Sequence, residues 1–312
     1  MPNNFWENKT AIITGSGGFV GCQLVAYLEA RNARVTGIVR KTAKRPKEAR
    51  VDVTSLPELK RIFSHLKPDV CFHLAGETLV ESGQTDPYQT LKNNLMGTLN
   101  MLELCRAHQV RRLVIASTVH VYGVSALPYA ETTPARPSRP YETSKTCADL
   151  MAQSYADSFN LPVVIPRFVN IYGPGDLHFS RIIPKTMKSV LTNKSPTLWE
   201  GGAVREYLYI TDVLRAYDLL AQISDKELEK NRIFNFGSLE AISARDLIEA
   251  ILKIAGKRVK IKKVAPAREK EISIQQTDWS KAKRILGWKP EVKLTQGLKL
   301  TLDWYRDYFK IN

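Results

Sequence analysis

Apolar runs and helical apolar stripes alternate along the first half of the chain. Residues 10–14, 34–39, 69–74, 113–117 and 163–168 are short runs rich in Val and Ile and predict strands. Between them apolar positions recur at helical spacing from starts near Val20, Leu56, Tyr88 and Tyr141. Such alternation predicts an α/β fold, a Rossmann-type doubly wound parallel sheet with helices on both faces. Ligands of such a sheet bind beyond the carboxyl ends of its strands. Regularity is lost after Gly173. Tyr172-Gly173-Pro174-Gly175-Asp176 is a turn cluster, a helix is expected over 181–192, and shorter elements follow as a smaller C-terminal cap.

The turn after the first strand carries chemistry. Thr14-Gly15-Ser16-Gly17-Gly18-Phe19-Val20-Gly21 places glycines at 15, 18 and 21, between a strand and a helix whose stripe is Val20, Leu24, Val25 and Leu28. Missing side chains let the backbone approach a pyrophosphate, and N–H groups at the helix start meet its charge. A glycine string alone also marks ordinary turns; its position between strand and helix points to a dinucleotide.

The second strand ends in Gly37-Ile38-Val39-Arg40-Lys41, with Lys44 and Arg45 close behind. An acid here would bond the ribose 2′-hydroxyl of NAD, whereas Arg40 suits a 2′-phosphate. NADP is the expected cofactor, with NAD the other candidate; the plain alternative leaves Arg40 on adenine or in solvent. Asp52 is placed to bond the adenine amino group. Leu74-Ala75-Gly76 ends the third strand with the small residues a cofactor requires.

Tyr141 and Lys145 stand one helical turn apart, on one face. A phenol with pKa about 10 is a poor base, and a neighbouring ammonium lowers that value. Tyr88 and Lys92 share the spacing. Only Tyr141 follows a strand end, Ala116-Ser117-Thr118, that supplies a hydroxyl; Tyr88 and Lys92 are expected to be a surface pair.

The formal charge of +15 admits nucleic acid, an anionic membrane or an anionic substrate, beside a merely solvated basic surface. The densest basic run, 257–263, alternates at Val259 and Ile261 and predicts a strand with a wet face. It has no interleaved aromatics, so no nucleic-acid partner is expected. No apolar run reaches the ~20 residues of a membrane span, and no signal peptide is read at the start. No membrane partner is expected. Cys22, Cys71, Cys105 and Cys147 are scattered through apolar patterns. They read as reduced thiols of a cytoplasmic protein and as no metal site.

With these residues in view, the chain resembles the extended short-chain dehydrogenase/reductase family of nucleotide-sugar epimerases and dehydratases. The glycine turn, the Ser117-Thr118 strand end and Tyr141-xxx-Lys145 carry the likeness. So do Phe72-His73-Leu74-Ala75-Gly76, Asn93-Asn94-x-x-Gly97-Thr98, Val121-Tyr122-Gly123 and Pro166-Arg167-Phe168-Val169-Asn170. Arg205-Glu206-Tyr207-x-Tyr209-Ile210-x-Asp212 and Leu286-Gly287-Trp288-x-Pro290 extend it nearly to the C-terminus. The stretch from Gly37 to Lys41 is most similar to the GDP-mannose 4,6-dehydratase branch.

The resemblance implies an NAD(P)-binding Rossmann domain over 1–172, with segments near 205–237 returning to it, and a mainly substrate-binding domain over 173–312. It implies a catalytic trio of Thr118, Tyr141 and Lys145. Gly15, Gly18, Phe19, Val20, Arg40, Asp52, Val53, Leu74, Ala75, Gly76, Asn93 and Phe168 would join Tyr141 and Lys145 around the cofactor. Glu77, Thr118, His120, Asn170, Arg181, Arg205 and Arg268 would face a nucleotide-diphosphate sugar, with Asn170, Arg205 and Arg268 toward the diphosphate. It also implies a homodimer paired through the helices near 94–107 and 144–158, whose Leu95, Leu99, Leu102, Cys105, Cys147, Leu150, Met151 and Ser154 lie on more than one face.

One departure matters. The family's 4,6-dehydratases carry an acid or acid pair after the catalytic Thr; here stand Val119 and His120. That favours epimerisation or reduction of a 4-keto-sugar over dehydration. His120 is either a proton carrier in place of the acid or a packed residue. A non-catalytic NAD(P)-sensing protein is the reading from another class, and the intact trio speaks against it.

Overall fold

Ala11, Ile12 and Ile13 are wholly buried, as a central strand covered on both faces requires. They belong to β1 (Thr10–Thr14), which leads into α1 (Phe19–Glu29), β2 (Arg34–Val39), β3 (Glu48–Arg50), α2 (Leu56–His65) and β4 (Val70–His73). Next come α3 (Val80–Thr85), α4 (Pro87–Ala107), β5 (Arg112–Ile115), β6 (Ser117–Thr118), a 3-10 turn (Val119–Tyr122), α5 (Pro140–Phe159), β7 (Val163–Phe168) and β8 (Asn170–Tyr172). The second half contains α6 (Ile182–Leu191), β9 (Thr197–Trp199), β10 (Val204–Tyr209), α7 (Ile210–Gln222), α8 (Asp225–Lys230) and β11 (Ile233–Phe236). Then follow β12 (Ala241–Ser243), α9 (Ala244–Ile254), β13 (Lys262–Val264), α10 (Ser280–Leu286) and α11 (Leu294–Phe309). The structure, a computed structural model, describes residues 4–199, 203–238, 240–264 and 272–311.

The main sheet runs β11-β7-β5-β4-β1-β2-β3, with β6 added beside β7. Its pairings are parallel. The strand order reverses between β1 and β4, the crevice where such sheets bind ligands. One core packs α1 and α7 on one face through Val25, Leu28, Val213 and Tyr217. The other packs α2, α4 and α5 through Leu59, Phe63, Met101, Leu102, Ala152 and Ala156. β11 joins this sheet from well beyond Gly173, next to β7. Away from the main sheet, β8 pairs with β10, β10 with β12, and β9 with β13.

Two expectations need correction. The basic run 257–263 is not a strand: the ladder is only Lys262–Val264, because its partner β9 offers three residues. Val259 and Ile261 pack against the core instead. The expected strand 113–117 is broken at Ala116, between β5 and β6. The Ala116 carbonyl is thereby free to accept from Lys145 Nζ at 3.1 Å.

A buried polar network fixes α5 to the sheet. Arg167 of β7 donates from Nε and Nη2 to Asp149 of α5 at 2.9 and 3.0 Å. Ser117 Oγ donates to the same carboxylate at 3.0 Å. Arg167 Nη1 continues to the Tyr122 hydroxyl, which donates to Asn235 Oδ1 of β11. A bidentate pair is strong and directional, so α5 is set in register with β7.

Candidate active site

A cleft of about 900 Å³ opens at the strand-order reversal. It is lined by every site residue expected above except Arg268, which lies outside the described residues.

At one end the glycine turn makes the floor. Gly15 has φ +72°, and a Cβ there would stand 2.9 Å from Ala75 N. A Cβ on Gly21 would stand 2.2 Å from Gly15 O. Side chains are excluded, so the first turn of α1 and the ends of β1 and β4 lie in close contact. Gly18 is the N-cap residue of α1, and no side chain caps the helix there. Its first N–H groups remain for an anion. These features fit a dinucleotide pyrophosphate.

Arg40 follows β2, exposed at the rim, and makes no ion pair among the described residues. Arg45 does not join it: its guanidinium donates to the Cys22 carbonyl at 3.2 and 3.3 Å. Asp52 uses Oδ1 to accept from Thr54 N and Oγ1, both at 2.9 Å. The Glu77 carboxylate accepts from Thr78 N at 3.0 Å and so braces its own turn.

In the middle of the cleft the trio converges. Pro140 opens α5, which puts Tyr141 in its first turn, where the helix dipole favours negative charge. Thr118 Oγ1 donates to Phe168 O at 3.4 Å, and the Tyr141 hydroxyl bonds to Thr118. Burial pushes the Tyr141 phenol up to about 12, against the pull of the Arg181 charge and of Thr118. This differs from the expected lowering by Lys145. The ammonium is turned to Ala116 O, and burial pushes it down to about 8 against the charge of Asp149. His73 lies beneath, its Nδ1 2.8 Å from Thr14 Oγ1. Burial, helped by the Lys145 charge, holds that imidazole down to about 3, so it stays neutral.

At the far end Arg181, the residue before α6, pairs with the buried Asp176 at 3.0 Å and reaches Thr78 Oγ1 at 3.2 Å. Arg205 donates to the carbonyls of Val204 and Ser273 at 2.9 and 3.3 Å. Asn170 Nδ2 donates to Glu206 O at 3.2 Å. Tyr88, by contrast, is 73% exposed on α4, away from the cleft.

Two residues of the site have no role in the sequence analysis, which quotes Asn94 only within a motif. Asn94 accepts from Glu77 N at 2.7 Å and donates to Ser144 Oγ at 2.8 Å, tying the β4 loop to α5. Its neighbour Asn93 was singled out instead. Glu142 is fully buried beside Tyr141, with Oε1 3.8 Å from His120 Nδ1. The only signal for Glu142 was an acid next to the tyrosine.

Beside Arg205, Glu206 is buried and its carboxyl is pushed up to about 7 by burial, against the Ser238 N–H and Thr277. An unfolded Glu titrates near 4.5. The folded form therefore holds the extra proton between these values, and stability is lost as pH rises through 7. Glu206→Gln should gain on the order of 2 kcal/mol over the parent at pH 8 and much less at pH 4.5. Urea midpoints at both pH values check this; equal differences would refute it.

Comparison with known proteins agrees with this geometry. The model of the NAD dependent epimerase/dehydratase family matches residues 11–237. A UDP-glucuronate 4-epimerase of Thermodesulfobacterium geofontis is 27% identical, covering 96% of this chain and 97% of its own. A dTDP-glucose 4,6-dehydratase of Mycolicibacterium smegmatis is 30% identical, covering 95% and 92%. Among solved structures, the UDP-glucose 4-epimerase of Thermus thermophilus in complex with NAD superposes with a TM-score of 0.87 at 30% identity, covering 95% and 99%. The Thermotoga maritima UDP-glucose 4-epimerase with UDP-glucose gives 0.89 at 26%, covering 96% and 99%. Among the described residues no helix is long and apolar enough to cross a membrane.

Proposed function

The chain belongs to the NAD dependent epimerase/dehydratase family, and from that premise we propose that it is a cytoplasmic nucleotide-sugar epimerase or 4-keto-sugar reductase that prefers NADP. The convergence of Thr118, Tyr141 and Lys145 in one cleft with the glycine turn carries the reading. Residues 1–172, with the returning segment 205–237, would hold the cofactor, and 173–312 mainly the sugar nucleotide. A bound nicotinamide dinucleotide supplies hydride exchange with a sugar carbon and, when oxidised, positive charge beside it.

The chain's own residues supply the rest. Gly15, Gly18 and the first turn of α1 hold the pyrophosphate. Arg40 clamps the 2′-phosphate, Asp52 and Val53 take the adenine end, and Lys145 the ribose hydroxyls. Thr118 fixes the reacting sugar oxygen by hydrogen bond. Tyr141 gives that oxygen a proton when a ketone is reduced and removes it when an alcohol is oxidised. A phenol near 12 stays protonated at neutral pH, which suits the acid role directly. The base role needs positive charge nearby, and Arg181 provides part of it. Arg205 and Asn170 lie where a diphosphate would run.

Relatives named for UDP and dTDP sugars make those nucleotides the first to try, ahead of the GDP sugars suggested by the residues around Arg40. The test is product analysis with UDP-, dTDP- and GDP-hexoses and their 4-keto forms, with NAD and NADP supplied separately. Inversion or reduction at one carbon supports the reading; absence of turnover across the panel overturns it.

The same reading includes a homodimer. α4 and α5 pack side by side, yet Met96 is 41% and Leu150 55% exposed on them. Leu95, Leu99, Cys147 and Met151 are only half-buried. Exposed apolar stripes on adjacent helices suit pairing across a two-fold axis. Sedimentation at micromolar concentration should give twice the 35.2 kDa chain mass; a species at the chain mass alone would exclude the dimer.

A further inference from the structure

The cleft holds a second titratable pair that the hydride chemistry leaves unused. His120 stands in the 3-10 turn two residues after Thr118, and Glu142 follows Tyr141 on α5. His120 Nδ1 and Glu142 Oε1 face each other at 3.8 Å. Both atoms are buried, and neither has a hydrogen-bond partner among the described residues. The other Glu142 oxygen accepts from Ser138 N at 2.9 Å and Ser138 Oγ at 3.1 Å, which fixes the carboxylate from the loop side. The 18% of the His120 side chain that stays accessible lines the cleft, with its ring centroid 6.2 Å from that of Tyr141.

A buried carboxylate oxygen without a donor is costly, and so is a buried imidazole nitrogen without a partner. Closing the short gap between them satisfies both, provided the proton sits on Nδ1. The lone pair then sits on Nε2, the other nitrogen of the ring. Burial disfavours a charged Glu142, but the facing His120 and the Ser138 donors outweigh it and hold the carboxyl below its ordinary range.

We propose that His120 is a second proton carrier of the site, acting at a sugar carbon next to the ketone, and that Glu142 is its positioning residue. The proposal rests on the reading above, in which the Tyr141 site handles a keto-sugar. The hydrogen on a carbon beside a carbonyl is acidic. His120 Nε2 takes it as a proton, the C–H electron pair forms a C=C bond, and the carbonyl π pair moves to oxygen. The resulting enolate oxygen lies at the hydroxyls of Thr118 and Tyr141. Return of a proton to carbon, from Nε2 or after exchange with water, restores the ketone with no net change of electrons. The acid that the dehydratase pattern places after the catalytic threonine is thus answered here by an imidazole on one element and a carboxylate on another. The substrates so defined are nucleotide keto-sugars with a hydrogen flanking the carbonyl. The outcome is exchange or inversion at that flanking carbon.

Nitrogen NMR of the full chain with labelled histidine, His120 being assigned by loss of its signal in His120→Asn, reads the tautomer directly. The parent should show His120 protonated on Nδ1, and Glu142→Gln should move the proton to Nε2. A parent protonated on Nε2, or a tautomer indifferent to Glu142→Gln, would overturn the pair. The second arm uses D2O with UDP-glucose, UDP-glucuronate or dTDP-glucose and added cofactor, following cofactor reduction by absorbance and carbon-bound deuterium by mass spectrometry. Deuterium should enter the parent's sugar. Relative to cofactor reduction, its rate should fall by ~100-fold in His120→Asn and at least ~10-fold in Glu142→Gln, with partial recovery in Glu142→Asp. Cofactor reduction without deuterium entry overturns the inference and leaves the proposed function standing. No cofactor reduction with any of the three sugars, together with no oxidation of NADPH by their 4-keto forms, counts against the proposed function, while the tautomer still decides the pair.

Discussion

Tyr141→Phe should lower turnover on the true substrate by at least ~100-fold, the usual scale of general acid–base assistance. The change removes one oxygen from a buried ring and keeps its volume. Thr118 Oγ1 loses the phenol but keeps Phe168 O as acceptor, so no buried hydroxyl is stranded. Folding and cofactor affinity should therefore move little. Tyr88→Phe is the internal control: it shares the spacing to a lysine but is solvent-exposed on α4. Steady-state rates of both variants, with thermal melts to show that each is folded, decide the matter. Equal turnover in parent and Tyr141→Phe would remove the tyrosine from the chemistry.

Arg40→Asp should reverse the cofactor preference. The guanidinium stands just after β2 at the rim of the cleft, with no carboxylate paired to it among the described residues, so its charge is available to a 2′-phosphate. A hydrogen bond to a charged group contributes about 1.5–3 kcal/mol, which is a ~10- to 100-fold weakening of NADP binding. The introduced acid repels that phosphate and can accept from the free ribose hydroxyls of NAD. Binding constants for both cofactors, measured by calorimetry on both proteins, provide the check. Arg45 offers no substitute clamp, because it is engaged by the Cys22 carbonyl. If both proteins bind both cofactors alike, Arg40 plays no part in selection.

The main sheet was legible because its strands are buried on both faces. Ala11-Ile12-Ile13 and Val163-Val164-Ile165 read as unbroken apolar runs for that reason. β3 was not legible: Glu48–Arg50 is polar, lies at the sheet edge, and is a strand only because β2 pairs with it. The basic run 257–263 misled in the opposite sense, since alternation signals a strand only where a partner is long enough to pair.

The site divides in the same way. Gly15, Gly18, Tyr141 and Lys145 announce themselves because their chemistry depends on spacing within one turn of chain. Asn94 and Glu142 do not. Asn94 matters because it spans the β4 loop and Ser144, 50 residues away. Glu142 matters because the turn carrying His120 folds back against it. Nor could spacing show that Arg181, rather than Lys145, is the charge pulling on the phenol.

The Asp149–Arg167 pair bears on how the enzyme fails when heated. Asp149 lies one turn beyond Lys145 on α5, and Arg167 is on β7, paired on one side by β11 and on the other by β5. Breaking one partner away from a buried charge pair is far more costly than losing an exposed one. The helix that carries Tyr141 and Lys145 therefore cannot detach while the sheet stays whole. Local opening, which in many enzymes silences a site well below the melting temperature, is closed off along this helix. Inactivation and global unfolding should share one transition. A lasting catalyst in this scaffold is then obtained by strengthening the sheet, even at strands remote from the cleft.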